Sequence, residues 1–162
     1  ELVDEVVEEA LKHLTRKSTE HIITFQPSDE ILLAKMDSRL IMQVVINLVD
    51  NAVKYTPPGS RIEVTTEKKG EWVWVSVSDN GNGITDEMKE KIFDMFYTGT
   101  GQASDSRRGL GLGLILVKAI IQAHGGTIRV KDGKTDGTIF TFRLKAEEVT
   151  LDEQTTDSCS GR

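Results

Sequence analysis

The sequence predicts an α+β domain of two layers, a mixed β-sheet with helices packed on one of its faces. Three observations carry that prediction. Strand-like segments fall in neighbouring pairs, helical periodicities are grouped instead of alternating as β-α-β units, and 162 residues are enough for one domain with a substantial core.

The chain opens with apolar residues at Leu2, Val3, Val6, Val7, Ala10, Leu11 and Leu14, the spacing of an amphipathic helix over 2–14. Two short strand-like segments follow at 21–25 and 31–35, separated by Gln26-Pro-Ser-Asp29. Asp37 or Ser38 suits the cap of a long helix reaching about Lys54, and Thr56-Pro-Pro-Gly59 stops it because proline cannot continue a helix. Residues 61–68 and 72–78 read as paired strands around Lys69-Gly-Glu71. In the second, Val73, Val75 and Val77 alternate with Trp72, Trp74, Ser76 and Ser78, so one face of the sheet is buried.

A glycine-rich turn over 79–83 leads to a short helix over 86–93. Residues 97–108 are rich in Gly, Ser and Thr and lack core periodicity, which predicts a mobile loop. The run Gly109-Leu-Gly-Leu-Gly113 then enters a helix over 114–124, ended by Gly125-Gly126. The last strands are expected at 127–131 and 138–144, with Phe140, Phe142 and Leu144 alternating. From Ala146 the chain is polar and acidic. The domain is therefore placed at 1–145, with a disordered tail over 146–162.

Composition excludes several function classes. A net charge of −6 argues against a nonspecific nucleic-acid binder, which needs a basic face, so no nucleic-acid partner is expected. It leaves room for a polyphosphate held by backbone N–H groups. The single cysteine, Cys159, permits no disulfide framework, so a reducing cytoplasm is the simplest compartment. No apolar run approaches the roughly 20 residues of a membrane helix, and no signal peptide opens the chain. His13, His21 and His124 lack metal-ligand spacing and read as structural residues.

Three constellations carry chemistry. On the long helix, at about 100° per residue, Asn47, Asp50, Asn51 and Lys54 share one arc opposite Ile41, Val45, Leu48, Val49 and Ala52. A solvated polar face would look the same. Yet asparagine is a poor mid-helix residue, and its amide oxygen suits Mg²⁺, which takes few protein ligands beside phosphate oxygens and water. The second is Asp79-Asn-Gly-Asn-Gly-Ile84 at a strand end. A buried carboxylate there accepts hydrogen bonds only, which fits the amino group of adenine and rejects the O6 of guanine; a capped turn is the plainer reading. The third is Gly109–Leu114, where glycines and a helix start favour phosphate. Its G-x-G-x-G spacing fits neither the dinucleotide fingerprint nor the P-loop.

In this order the three segments resemble the GHKL ATPase superfamily, and most closely its histidine protein kinases, whose ATP-binding domain has the Bergerat fold. Residues 47–56 look like the N box, 79–84 like the G1 box, Ile92-Phe-Asp-Met-Phe-Tyr97 like the F box and 108–114 like the G2 box. Gly137-Thr-Ile-Phe140 resembles the last nucleotide-proximal element. Lys54-Tyr-Thr-Pro-Pro-Gly-Ser60 is most similar to potassium-responsive Kdp-type sensor kinases.

The resemblance implies ATP and Mg²⁺ as cofactors. It assigns Asn51 to the metal, Asn47 to the vicinity of the phosphates, Lys54 to a phosphate, Tyr55 to packing on adenine and Asp79 to its amino group. Gly81, Gly83 and Ile84 would line the base pocket with Phe93 and Phe96 of the F box, and Thr138 would border the adenine. Gly109, Leu110, Gly111, Leu112, Gly113 and Leu114 would form the lid, with Arg107 or Arg108 meeting the γ-phosphate.

Hydrolysing relatives usually carry glutamate four residues before the metal-binding asparagine. Here that residue is Asn47, an amide that cannot act as a base, which favours transfer over hydrolysis. Asp50 stands where kinases more often have glutamate, and completes a catalytic set with Asn47 and Lys54. The phosphoacceptor motif, a histidine beside an acid and followed closely by proline, is missing around His13. The expected partners are therefore a histidine-bearing dimerisation domain of the same sensor and, indirectly, a response regulator. The chain is expected to be a monomeric, soluble, cytoplasmic piece of a dimeric, membrane-bound bacterial sensor. A nucleotide-binding regulatory module, or a GHKL ATPase without kinase activity, is the alternative.

Overall fold

The computed structural model describes residues 1–15, 20–93 and 110–148. The loop expected over 97–108, with Phe96, Arg107, Arg108 and Gly109 near it, and nearly all of the expected tail lie outside the described residues.

The elements run α1 (Val3–Thr15), β1 (Ile22–Gln26), β2 (Leu33–Ala34), α2 (Ser38–Lys54), β3 (Arg61–Lys69), β4 (Trp72–Asp79), α3 (Asp86–Lys91), α4 (Leu110–Ala123), β5 (Thr127–Asp132) and β6 (Thr138–Glu147). The strands form one sheet in the order β1-β3-β4-β6-β2, with β5 also paired to β6. β1 lies parallel to β3 and every other pairing is antiparallel, so the sheet is mixed.

Period-two burial sets its two faces. Ile62 and Val64 of β3, Val73, Val75 and Val77 of β4, and Phe140, Phe142 and Leu144 of β6 are all buried. They meet Val3, Val7 and Ala10 of α1, Ile41, Val45, Leu48 and Val49 of α2, and Leu114, Val117 and Ile121 of α4 in one core. Each such side chain contributes about 1.5–3 kcal/mol of burial. The helices occupy that face alone, with α2 in the middle touching both α1 and α4. The predicted α+β two-layer fold is the observed one.

α2 begins where its capping residue dictates. The Asp37 carboxylate accepts from the N–H groups of Arg39 at 3.0 Å and Leu40 at 3.3 Å, which answers two of the free donors of the first turn. Asn51 O closes the other end by accepting from Tyr55 N at 3.1 Å, just before Pro57.

Four elements differ from the sequence reading by two residues or more at a boundary. β2 is two residues long instead of five, because its ladder partner is only the end of β6, at Ala146 and Glu147. For the same reason β6 runs to Glu147, so the folded unit extends past residue 145. α3 ends at Lys91, and Ile92 turns into the core. α4 starts at Leu110, four residues early, so Gly111 and Gly113 lie inside its first turn. Glycine weakens a helix by about 1 kcal/mol without forbidding it, and the burial of Leu114, Val117, Ile120 and Ile121 outweighs that.

Candidate functional site

A cavity of about 230 Å³ opens beside the end of α2, between the turn after β4, α3 and the start of β6. α2 supplies Asn51 and Ala52 to it, and Tyr55 and Thr56 follow from the residues just beyond the helix. The turn gives Asp79, Asn82, Gly83 and Ile84; Met88 and Ile92 close one side, and Thr138 and Phe140 another.

Asp79 ends β4 with its carboxylate at the cavity wall. Oδ1 accepts from Gly81 N at 2.9 Å. Burial pushes the carboxyl above its ordinary range, while the backbone N–H groups of Gly81 and Thr138 draw it back. The turn is tied to β3 by Asn80, whose Oδ1 accepts from Arg61 N at 2.8 Å.

Close approach explains the glycines here. A Cβ at Gly81 would lie 2.7 Å from Thr56 Cγ2 and 3.2 Å from Asp79 Oδ1. Gly137 has φ +84°, and a Cβ there would lie 1.9 Å from the Asp79 carbonyl oxygen. Both positions admit glycine alone without rearrangement.

Asn51 departs from the helical-wheel expectation. It is buried, at 8% exposure, with Leu48 and Ala52, while Asn47 and Asp50 are half-buried and Lys54 exposed. Its Oδ1 is enclosed yet accepts no hydrogen bond among the described residues. A bare, buried amide oxygen at the cavity wall is a hard ligand in want of a donor or a cation, and so fits Mg²⁺.

The remaining candidates divide. Asn47 accepts from Gln43 Nε2 at 3.3 Å and faces α4, since a Cβ at Gly113 would come 3.9 Å from its side chain. Lys54 Nζ is 2.8 Å from Asp50 Oδ2, and neither residue lines the cavity. Phe93 stands one layer back, edge-to-face with Phe140 at 6.0 Å and 89°. Leu114 is a core residue. The backbone of Leu110, Gly111 and Leu112 belongs to the first turn of α4, where helix N–H groups are free for an anion.

The wall also contains Ala52, Thr56, Asn82, Met88, Ile92 and Phe140, which the sequence reading did not assign to the site. Met88 and Ile92 are four apart, a pairing visible in the helical pattern. Phe140 was legible as a core residue and as the end of the segment that resembles the last nucleotide-proximal element. His21, read as structural, reaches the wall from β1's edge: its Nε2 lies 3.0 Å from Thr56 Oγ1.

The family model for histidine kinase-, DNA gyrase B-, and HSP90-like ATPases matches residues 36–148, from the residue before the α2 cap to the end of β6. The chain belongs to this family. Membership implies that the domain binds ATP. The sensor protein KdpD of Clostridium acetobutylicum is 42% identical over 147 residues, 91% of this chain and 16% of KdpD. The sensor-like histidine kinase SenX3 of Mycobacterium tuberculosis is 34% identical over 89% of this chain and 35% of its own length. The chain thus spans well under half of these relatives.

Among solved structures, a mycobacterial sensor histidine kinase, MprB, superposes with a TM-score of 0.80 at 26% identity, covering 92% of this chain and 99% of that one. The catalytic domain of histidine kinase ThkA gives 0.75 at 32% identity, covering 90% and 92%. This chain therefore shares its fold with histidine-kinase catalytic domains.

Proposed function

We propose that this chain is the catalytic domain of a two-component sensor histidine kinase, binding Mg-ATP and passing the γ-phosphate to a histidine on a separate dimerisation domain. The observation that carries the proposal is the pairing, in one cavity, of the Asp79 carboxylate with the unpartnered buried Oδ1 of Asn51.

Asp79 accepts the amino hydrogen of adenine, while Tyr55, Ile84 and Phe140 offer apolar surface to the ring. Asn51 Oδ1 would hold Mg²⁺. When bound, the metal supplies neutralisation of phosphate charge. Asn47, facing the first turn of α4, orients the phosphates and contributes no base, which withholds activation from water. Lys54 reaches a phosphate on leaving Asp50, an exposed pair that costs little to break. The parent protein on this reading is a membrane-bound dimer with this domain in the cytoplasm, and the phosphohistidine goes on to a response regulator.

The test mixes the chain with labelled ATP and the separately produced histidine-bearing domain of its own sensor. Acid-labile, alkali-stable label on that domain is the expected result. ATP binding without label transfer contradicts the proposal and leaves a nucleotide-binding regulatory module; sustained phosphate release by the chain alone indicates an ATPase.

A further inference from the structure

The face of the sheet turned away from the helices has its own chemistry. Trp72 and Trp74 of β4 stand on it, and register sets Lys145 opposite Trp72 and Arg143 opposite Trp74. The Arg143 guanidinium lies 4.0 Å from the Trp72 ring and 5.6 Å from the Trp74 ring, so it bridges both indoles.

Beside them is a hollow of about 270 Å³ lined by Lys69, Trp74, Ser76, Arg129, Lys131 and Thr141, with Glu67 as its one carboxylate. Glu67 is taken by Lys69 at 3.1 Å. Arg129 and Lys131 are exposed and form no ion pair among the described residues.

Three cations, Lys69, Arg129 and Lys131, face one carboxylate there. Ser76 Oγ and Thr141 Oγ1 are 3.0 Å apart, which uses one of their two hydroxyl hydrogens and leaves the other to donate elsewhere. Trp74 Nε1 and Arg143 Nε are enclosed N–H groups without an acceptor among the described residues. A cationic, donor-rich hollow on a chain of net charge −6 is a local reversal of sign, complementary to an anion.

We propose that this outer face is a docking surface for an acidic peptide segment of a partner protein, whose carboxylates pair with Arg129 and Lys131. A peptide fits better than a nucleic acid for two reasons. Stacking platforms need open aromatic faces, whereas Arg143 and Lys145 already cover the indoles, Lys145 Nζ lying 5.5 Å from the Trp72 ring. The net negative charge of the chain also repels the dense charge of a nucleic-acid backbone more than the few carboxylates of a short acidic peptide. The surface lies across the sheet from the ATP cavity, so docking there leaves the nucleotide site open.

Trp72 and Trp74 are the only two tryptophans of the chain, so its intrinsic fluorescence reports on this face. Titration with a short Asp/Glu-rich peptide is expected to give a saturable change in emission. Raising NaCl from about 0.05 to about 0.5 M should weaken that binding at least about tenfold. The double variant Arg129→Gln, Lys131→Gln, at two exposed positions, should lose at least about tenfold in peptide affinity while binding ATP as the parent chain does. No saturable change, equal peptide affinity in the double variant, or tighter binding of a single-stranded oligouridylate than of the peptide would each overturn the proposal.

Discussion

His21 Nε2 stands 3.0 Å from Thr56 Oγ1, and the Thr56 hydroxyl is itself 2.7 Å from the Ala52 carbonyl oxygen, to which it donates. A hydroxyl has one hydrogen, so Thr56 accepts from the imidazole, and His21 carries its proton on Nε2. Nδ1 then faces an enclosed space with no hydrogen-bond partner among the described residues. This chain of two bonds pins Thr56, and with it a wall of the cavity beside α2. His21→Ala removes one bond of about 1 kcal/mol, and nucleotide affinity by calorimetry should fall on the order of fivefold because Thr56 must be ordered on binding. Unchanged affinity would mean that Thr56 needs no such support.

The same threonine makes Gly81 unforgiving. A Cβ at position 81 would press to 2.7 Å from Thr56 Cγ2, and Thr56 cannot swing aside without breaking its bonds to His21 and Ala52. Overpacking of this kind costs about 1–3 kcal/mol, so Gly81→Ala should weaken ATP on the order of 10- to 100-fold. Gly59 is the control. Its φ is +86° with nothing within 4 Å of a Cβ, so Gly59→Ala should cost about 1–2 kcal/mol in urea unfolding and leave affinity unchanged. Equal affinities in the two variants would remove the steric argument.

How far the site could be read from the sequence depends on distance along the chain. Asp37 capping, the α2 periodicity and the Val73–Val75–Val77 alternation are local patterns, and they place the core correctly. Asn51 was legible as a candidate of the site but not as a buried residue, because a helical wheel gives angles and not neighbours. At the edge of its polar arc, it is covered by the elements packed beside α2. Thr138 and Phe140 meet Asp79 only through strand register, which pairs Ser78 with Ile139, and no local pattern encodes that pairing. The family resemblance supplied Thr138 through a motif; nothing supplied Met88, which enters by the tertiary placement of α3.

Asp79 couples the site to pH. Burial raises its carboxyl above the ordinary 3.8, so the folded chain holds this proton more tightly than the unfolded chain. Its contribution to stability is full below 3.8 and is lost as pH rises through the raised folded value. Asp79→Asn keeps an oxygen for Gly81 N and sheds the buried charge. In urea the variant should exceed the parent near neutral pH, and the two should converge below 3.8. ATP affinity should move the other way, falling on the order of 10- to 100-fold, because an amide N–H directed at the adenine amino group leaves donors facing each other, at about 1–3 kcal/mol. A variant less stable than the parent near neutral pH would contradict the desolvation argument.

Asn51 gives the sharpest separation of stability from function. Its enclosed Oδ1 accepts no hydrogen bond among the described residues, and an unanswered buried acceptor destabilises a fold by about 1–3 kcal/mol. Asn51→Ala removes that penalty and opens a small void next to an existing cavity, so stability without nucleotide should stay within about 1 kcal/mol of the parent or rise above it. Binding should respond differently. With Mg²⁺ present the variant should lose the increment in ATP affinity that the metal confers on the parent, and in excess chelator the two chains should bind ATP alike. Calorimetry under both conditions distinguishes the roles: equal losses with and without the metal would make Asn51 a contact to the nucleotide itself, and no loss in either would leave its bare oxygen without a function.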